Sequence, residues 1–198
     1  MEKELLGGTC LNRGCIPTKT MIASAAVAHQ ARRAAEFGVL VAGRVSVDLA
    51  AVVDRKDRLV DSIRSGSYRA VEKSDGIDFY RAPGQFTAPR RLTVDGTDLT
   101  ADRIVLAPGT RTAHPDIDGL HTVPYYTSRT LLDLTDLPTR LLVVGGGYVG
   151  CEFAQMFRRF GAEVTLIQRA DRLLPGEDPD IAAAVTDGMI ADGITVLT

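Results

Sequence analysis

The segment from Leu141 to Ile167 limits the folds open to this chain more than any other. An apolar run, Leu141-Leu142-Val143-Val144, leads directly into Gly145-Gly146-Gly147, then a helix-forming stretch, Val149 to Phe160, then a second apolar run, Val164 to Ile167. Gly145, Gly147 and Gly150 stand in the G-x-G-x-x-G spacing between a strand and a helix, the context in which that spacing cradles a dinucleotide. The first glycine turns the chain, the second admits a pyrophosphate to the helix N-terminus, and the third lets helix and strand pack closely. A helix over Pro179 to Ala191 and a strand over Ile194 to Leu197 extend the pattern to β-α-β-α-β, most simply a parallel sheet. A glycine-rich turn without a ligand is the weaker reading, because the whole βαβ unit surrounds the motif.

The end of the second strand bears on which nucleotide fits. A carboxylate there would bind the ribose hydroxyls of NAD, whereas a nearby cation accommodates the 2′-phosphate of NADP. Here the strand ends Ile167-Gln168-Arg169, with Arg172 close behind. Gln168 spares a phosphate the repulsion of a carboxylate, and Arg169 and Arg172 can pair with it. The expectation is NADPH ahead of NADH; the alternative is that both arginines are solvated surface charges.

The second segment with chemical content is Gly7-Gly8-Thr9-Cys10-Leu11-Asn12-Arg13-Gly14-Cys15-Ile16-Pro17-Thr18-Lys19. Five residues of ideal helix would separate the cysteines by roughly 7.5 Å along the axis, against the ~7 Å Cα separation that a disulfide tolerates. The pair closes only if Cys10 sits in an irregular first turn, which Gly14 permits. Cys15 then lies near the N-terminus of the following helix, where the dipole favours a thiolate. Lys19, four residues on, shares its face and would supply a buried cation. A redox pair is the favoured reading; chance proximity and a weak metal site are the alternatives. A zinc site needs two further ligands, and Cys151, His29, His114 and His121 are scattered without ligand spacing, so no metal residues are assigned. Cys151 reads as a small packed residue.

Between these segments the pattern predicts a helix over Thr18 to Phe37 ended by Gly38, and a second one capped by Asp48. In the latter Leu49, Val52, Val53, Leu59, Val60 and Ile63 form the apolar stripe, with Asp54 to Arg58 mostly off it. Strands are expected over Ile77 to Arg81, Arg91 to Asp95, Asp98 to Thr100 and Ile104 to Ala107, then an irregular crossover to Pro138. A formal net charge of -2, spread along the chain, argues against a nucleic-acid partner held by bulk positive potential. No run is long and apolar enough to span a membrane, and Met1-Glu2-Lys3-Glu4 opens no signal peptide. With three cysteines, a reducing, cytoplasmic setting fits.

Together these residues resemble the pyridine nucleotide–disulfide oxidoreductases, the flavoprotein family of dihydrolipoyl dehydrogenase, glutathione reductase and mercuric reductase. The resemblance implies an α/β chain: part of an FAD-binding Rossmann-like domain over residues 1–118, then the first βαβαβ portion of an NAD(P)-binding Rossmann domain over 119–198. It implies a Cys10–Cys15 redox disulfide, with Cys10 the thiol that meets substrate and Cys15 the one against the flavin. Lys19 falls beside the flavin with Glu152 as its acidic partner. Glu2, Gly8, Thr9 and Gly109 fall in the FAD-binding set, and Tyr148 where several members place an aromatic lid on the nicotinamide side. One departure is Ala107-Pro108-Gly109, where the family usually has alanine-threonine-glycine; Pro108 offers neither the hydroxyl nor a backbone N–H. The implied activity is electron transfer from NADPH through FAD to the cysteine pair and on to a small disulfide or Hg(II). Arg169, Glu177-Asp178-Pro179 and Pro124 to Ser128 lean toward the mercuric reductases. Dihydrolipoyl dehydrogenase or glutathione reductase-like activity is the alternative, and a non-catalytic nucleotide-binding fragment a further one. The abrupt ends suggest a piece of a longer, homodimeric enzyme whose dimerisation domain lies elsewhere.

Overall fold

The computed structural model describes all 198 residues, which form five α-helices and two three-stranded sheets. Helix α1 (Gly8–Arg13) is followed after Gly14 by α2 (Cys15–Arg32) and, beyond a long loop, by α3 (Leu49–Glu72). Strands β1 (Gly84–Ala88), β2 (Arg91–Val94) and β3 (Thr97–Thr100) form an antiparallel meander. An irregular crossover leads to β4 (Arg140–Val144), α4 (Tyr148–Phe160), β5 (Glu163–Ile167), α5 (Pro179–Ala191) and β6 (Thr195–Leu197), with the strands parallel in the order β4-β5-β6. This is the α/β FAD-binding Rossmann-like architecture expected from the sequence.

The elements form where their residues favour them. The Asp48 carboxylate accepts from the Ala51 N–H at 3.0 Å, satisfying a donor that α3 leaves open at its start. Along α4, Phe153, Ala154, Phe157 and Phe160 recur at three- and four-residue spacing and are buried against Val164 and Leu166 of β5. On its other side α4 packs against α2 through Met21 and Ala25, so a single core ties the cysteine helix to the parallel sheet. The Arg32 guanidinium donates to the carbonyls of Arg159 and Phe160, closing the C-terminus of α4 from α2.

Several expectations are corrected. Helix α2 begins at Cys15 and ends at Arg32; a 3-10 turn, Ala34–Phe37, follows, and Gly38 closes that turn at a φ of +75°. Lys56 lies on the buried stripe of α3, not off it, being one turn from Val53 and Val60. Only 3% of its side chain is exposed, and its ammonium donates to the Leu132 carbonyl and Asp133 carboxylate, both at 2.9 Å. Leu59 and Ile63, assigned to the stripe, are exposed. Neither Ile77 to Arg81 nor Ile104 to Ala107 pairs as a strand, while β1, unforeseen, does. An apolar run becomes a strand only when a neighbour takes its ladder bonds, and Val105, 90% exposed, has none.

Candidate functional site

The cysteine segment is two helices broken at one residue. Cys10 sits within α1, not in an irregular turn, and Cys15 opens α2. A Cβ at Gly14 would lie 2.9 Å from the Thr9 carbonyl oxygen and 3.4 Å from the Cys10 Cα, so a residue without a side chain is what lets α1 fold back on the start of α2. Both thiols are exposed and unbonded to each other. A thiol–thiol hydrogen bond with Cys15 pushes the Cys10 thiol above its ordinary range.

One turn along α2 from Cys15, the Lys19 ammonium pairs with the Glu152 carboxylate, itself one turn along α4 from Tyr148. Lys19 was expected to be buried; its side chain is 58% exposed, because nothing else in the chain packs over the pair. Two steps of four residues and one ion pair thus link the glycine turn at the head of α4 to the Cys15 thiol at the head of α2.

On the other side of α1 lies a cavity of about 450 Å³. Glu2, Gly8, Thr9 and Gly109, four residues assigned to FAD from separate stretches of sequence, line it together. Glu2 is held there by its N–H to the Tyr80 carbonyl, at 3.0 Å, and its carboxylate accepts from the Glu4 N–H at 2.9 Å. Asn12 braces the wall, its amide donating to the carbonyls of Leu6 and Gly8 at 3.0 and 2.9 Å. Arg13, Arg111 and Arg129 also line this cavity and escaped the sequence reading. Arg13 lies within the cysteine segment and Arg111 two residues past Gly109, so both could have been found by proximity; Arg129, 20 residues beyond Gly109, carries no local signal.

The nucleotide turn is built as its spacing predicts. Gly145 has a φ of +111°, where side chains are strained, and its N–H extends the β5 ladder to the Ile167 carbonyl at 2.8 Å. A Cβ on Gly150 would fall 1.9 Å from the Gly145 carbonyl oxygen, whereas one on Gly147 would meet nothing within 4 Å. Helix and strand therefore need glycine at 150, and the open side of Gly147 at the α4 N-terminus leaves space fit for a phosphate. Gln168 folds inward, its Oε1 accepting from the Gly146 N–H at 3.1 Å, so it braces the turn as well as ending the strand. Arg169 is exposed, while Arg172 spends one N–H on the Pro175 carbonyl at 3.2 Å and keeps its Nε buried without a partner. The Tyr148 hydroxyl donates to the Glu177 carboxylate, which pushes the phenol above its ordinary range. Cys151 is buried against the turn, and that burial raises its thiol, as suits a packed and unreactive residue.

A family profile described as pyridine nucleotide-disulphide oxidoreductase matches residues 2–198. Mercuric reductase of Bacillus cereus is 37% identical across the whole chain, which covers 31% of that protein. Dihydrolipoyl dehydrogenase of Acholeplasma laidlawii is also 37% identical across the whole chain, covering 60% of it. The Cu(II) complex of the HOCl-induced flavoprotein disulfide reductase RclA from Escherichia coli superposes with a TM-score of 0.81 at 32% identity, over 99% of this chain and 42% of that one. The chain thus spans about a third to three fifths of the length of these proteins. Equal identity to the two enzyme classes leaves the lean toward mercuric reductases unfavoured. No helix is long and apolar enough to cross a membrane.

Proposed function

Because this chain belongs to the pyridine nucleotide-disulphide oxidoreductase family, we propose that it carries the thiol-bearing and nucleotide-binding parts of an NADPH-dependent flavoenzyme that reduces a small disulfide. The observation that carries the reading is the linkage through α4: the glycine turn, Glu152, Lys19 and Cys15 lie along two packed helices, with Cys10 on the short helix just before them. FAD bound along the cavity that Glu2, Gly8, Thr9 and Gly109 line would supply two-electron transfer between nicotinamide and thiols. The division into an FAD part over 1–118 and an NAD(P) part over 119–198 belongs to the same proposal.

The roles of the side chains follow from placement. Cys10 gives up its proton and attacks one sulfur of the substrate, forming a mixed disulfide and expelling the first thiol. Cys15, at the head of the next helix, attacks the Cys10 sulfur, which releases the second thiol and closes a Cys10–Cys15 bond. Two electrons leave the dithiol for the substrate, and NADPH restores them. Lys19, held by Glu152, sets a positive charge one turn from Cys15, where negative charge builds during the transfer. Gly145, Gly147 and Gly150 seat the dinucleotide, with Tyr148 beside it, and Arg169 and Arg172 are the cations available to its 2′-phosphate. The absence of a carboxylate at Gln168 supports NADPH over NADH.

The test is oxidation of NADPH, and separately of NADH, by the FAD-supplemented protein with oxidised lipoamide, oxidised glutathione or Hg(II) as acceptor. The proposal expects turnover with a disulfide that Cys10→Ser and Cys15→Ser each abolish. Turnover that survives both substitutions refutes it, and turnover with Hg(II) alone replaces the disulfide with a metal acceptor.

A further inference from the structure

We propose that Arg111 and Arg129 form a cationic clamp for the diphosphate of the flavin dinucleotide, taking over the donor role lost at Pro108. The inference rests on the FAD assignment of the cavity and adds residues to it. The wall at Ala107-Pro108-Gly109 offers no hydroxyl and, at Pro108, no N–H, so a phosphate lying there finds fewer donors in that turn than a threonine at 108 would give. The same cavity is lined by four cations, Lys3, Arg13, Arg111 and Arg129, against the carboxylates of Glu2 and Glu4. That excess of two positive charges complements the two negative charges of a diphosphate.

The cations are not equivalent. Arg13 is paired with Glu4 at 3.1 Å, and Lys3 is exposed near the chain start. Arg129 is half-buried and anchored: one Nη donates to the Thr110 carbonyl at 3.1 Å, and the buried Leu131 and Leu132 just beyond fix its backbone. Its remaining N–H groups are free to donate beside Arg111, one residue past that carbonyl. A guanidinium suits this task because it offers parallel donors to two phosphate oxygens, in charge-assisted bonds about twice as strong as neutral ones. The anchor also joins the crossover to the turn after Gly109, so binding would draw together the segments on either side of Pro115 to Pro124.

The experiment measures binding of FAD and of riboflavin, which lacks phosphate, at low and high salt. NADP⁺ binding at the Gly145 turn serves as the internal control. Arg129→Gln and Arg111→Gln should each weaken FAD binding about tenfold and flatten its salt dependence, leaving riboflavin and NADP⁺ unchanged. Arg129→Lys should recover part of the loss. Equal weakening of FAD and riboflavin, or FAD binding indifferent to both substitutions, overturns the clamp while leaving the flavoenzyme reading in place. A wild-type protein that takes up no FAD sinks both.

Discussion

Substitution of the second and third glycines of the nucleotide motif, Gly147 and Gly150, should separate folding from binding. In Gly150→Ala the new Cβ is driven to 1.9 Å from the Gly145 carbonyl oxygen and 3.0 Å from its carbonyl carbon, both backbone atoms that no rotamer change can move aside. Helix α4 must then lift from β4, and α4 carries Phe153, Ala154, Phe157 and Phe160 of the core. Overpacking of this kind costs about 1–3 kcal/mol, which at about 2–4 °C per kcal/mol for a chain of this size lowers Tm by roughly 2–12 °C. Gly147 differs: its φ is −80°, a value any residue adopts, and its added Cβ meets nothing within 4 Å. Gly147→Ala should therefore hold stability within about 1 kcal/mol, the residual cost being that of alanine at a helix N-cap. That methyl would still occupy the space left for a phosphate, so NADP⁺ affinity should fall at least about tenfold. Thermal unfolding by circular dichroism and calorimetric titration with NADP⁺ measure the two effects. A Gly150→Ala protein with wild-type Tm, or a Gly147→Ala protein with wild-type affinity, would refute the steric reasoning.

Other perturbations read out the remaining parts. Lys56→Met keeps the stem in the core but strips the Leu132 carbonyl of its donor; urea unfolding should show a loss of about 1–3 kcal/mol. Lys19→Met and Glu152→Gln break a solvent-exposed pair, so stability should change by less than about 1 kcal/mol, while disulfide turnover falls by about a hundredfold if the charge acts on the transfer. Because its folded-state thiol is raised, Cys10 contributes stability at neutral pH that is lost as pH climbs through and beyond the ordinary thiol range. Cys15→Ala should shift the iodoacetamide reaction of Cys10 to lower pH, and an unmoved profile would argue against the shared hydrogen bond. Glu177→Ala should likewise lower the pH at which Tyr148 ionises, followed by tyrosinate absorbance against Tyr148→Phe as a blank.

The parallel sheet and its turn were legible because they are local. Alternating apolar runs, glycines at fixed offsets and the Asp48 cap act over a few residues, so spacing alone specifies them. The same holds for Cys10, Cys15 and Lys19, which one short segment delivers together. Errors arose where a residue's state depends on distant partners. Lys56 looks like one charge in a polar stretch until Leu132 and Asp133 arrive from 76 and 77 residues away to receive its ammonium. Ile104 to Ala107 has the composition of a strand but no neighbour to pair with.

From its sequence alone the β-α-β-α-β order after Pro138, the glycine turn and the thiol-bearing segment were determined, since each rests on backbone geometry and side-chain size within a few residues. Tertiary structure alone decided that α4 lies against α2. That packing, driven by burial of Phe153, Phe157, Met21 and Ala25, brings Glu152 to Lys19 across 133 residues of chain. It also decided that Arg13, Arg111 and Arg129 share one cavity with Glu2 and Gly109, a convergence of charge that only the folded path of the backbone creates.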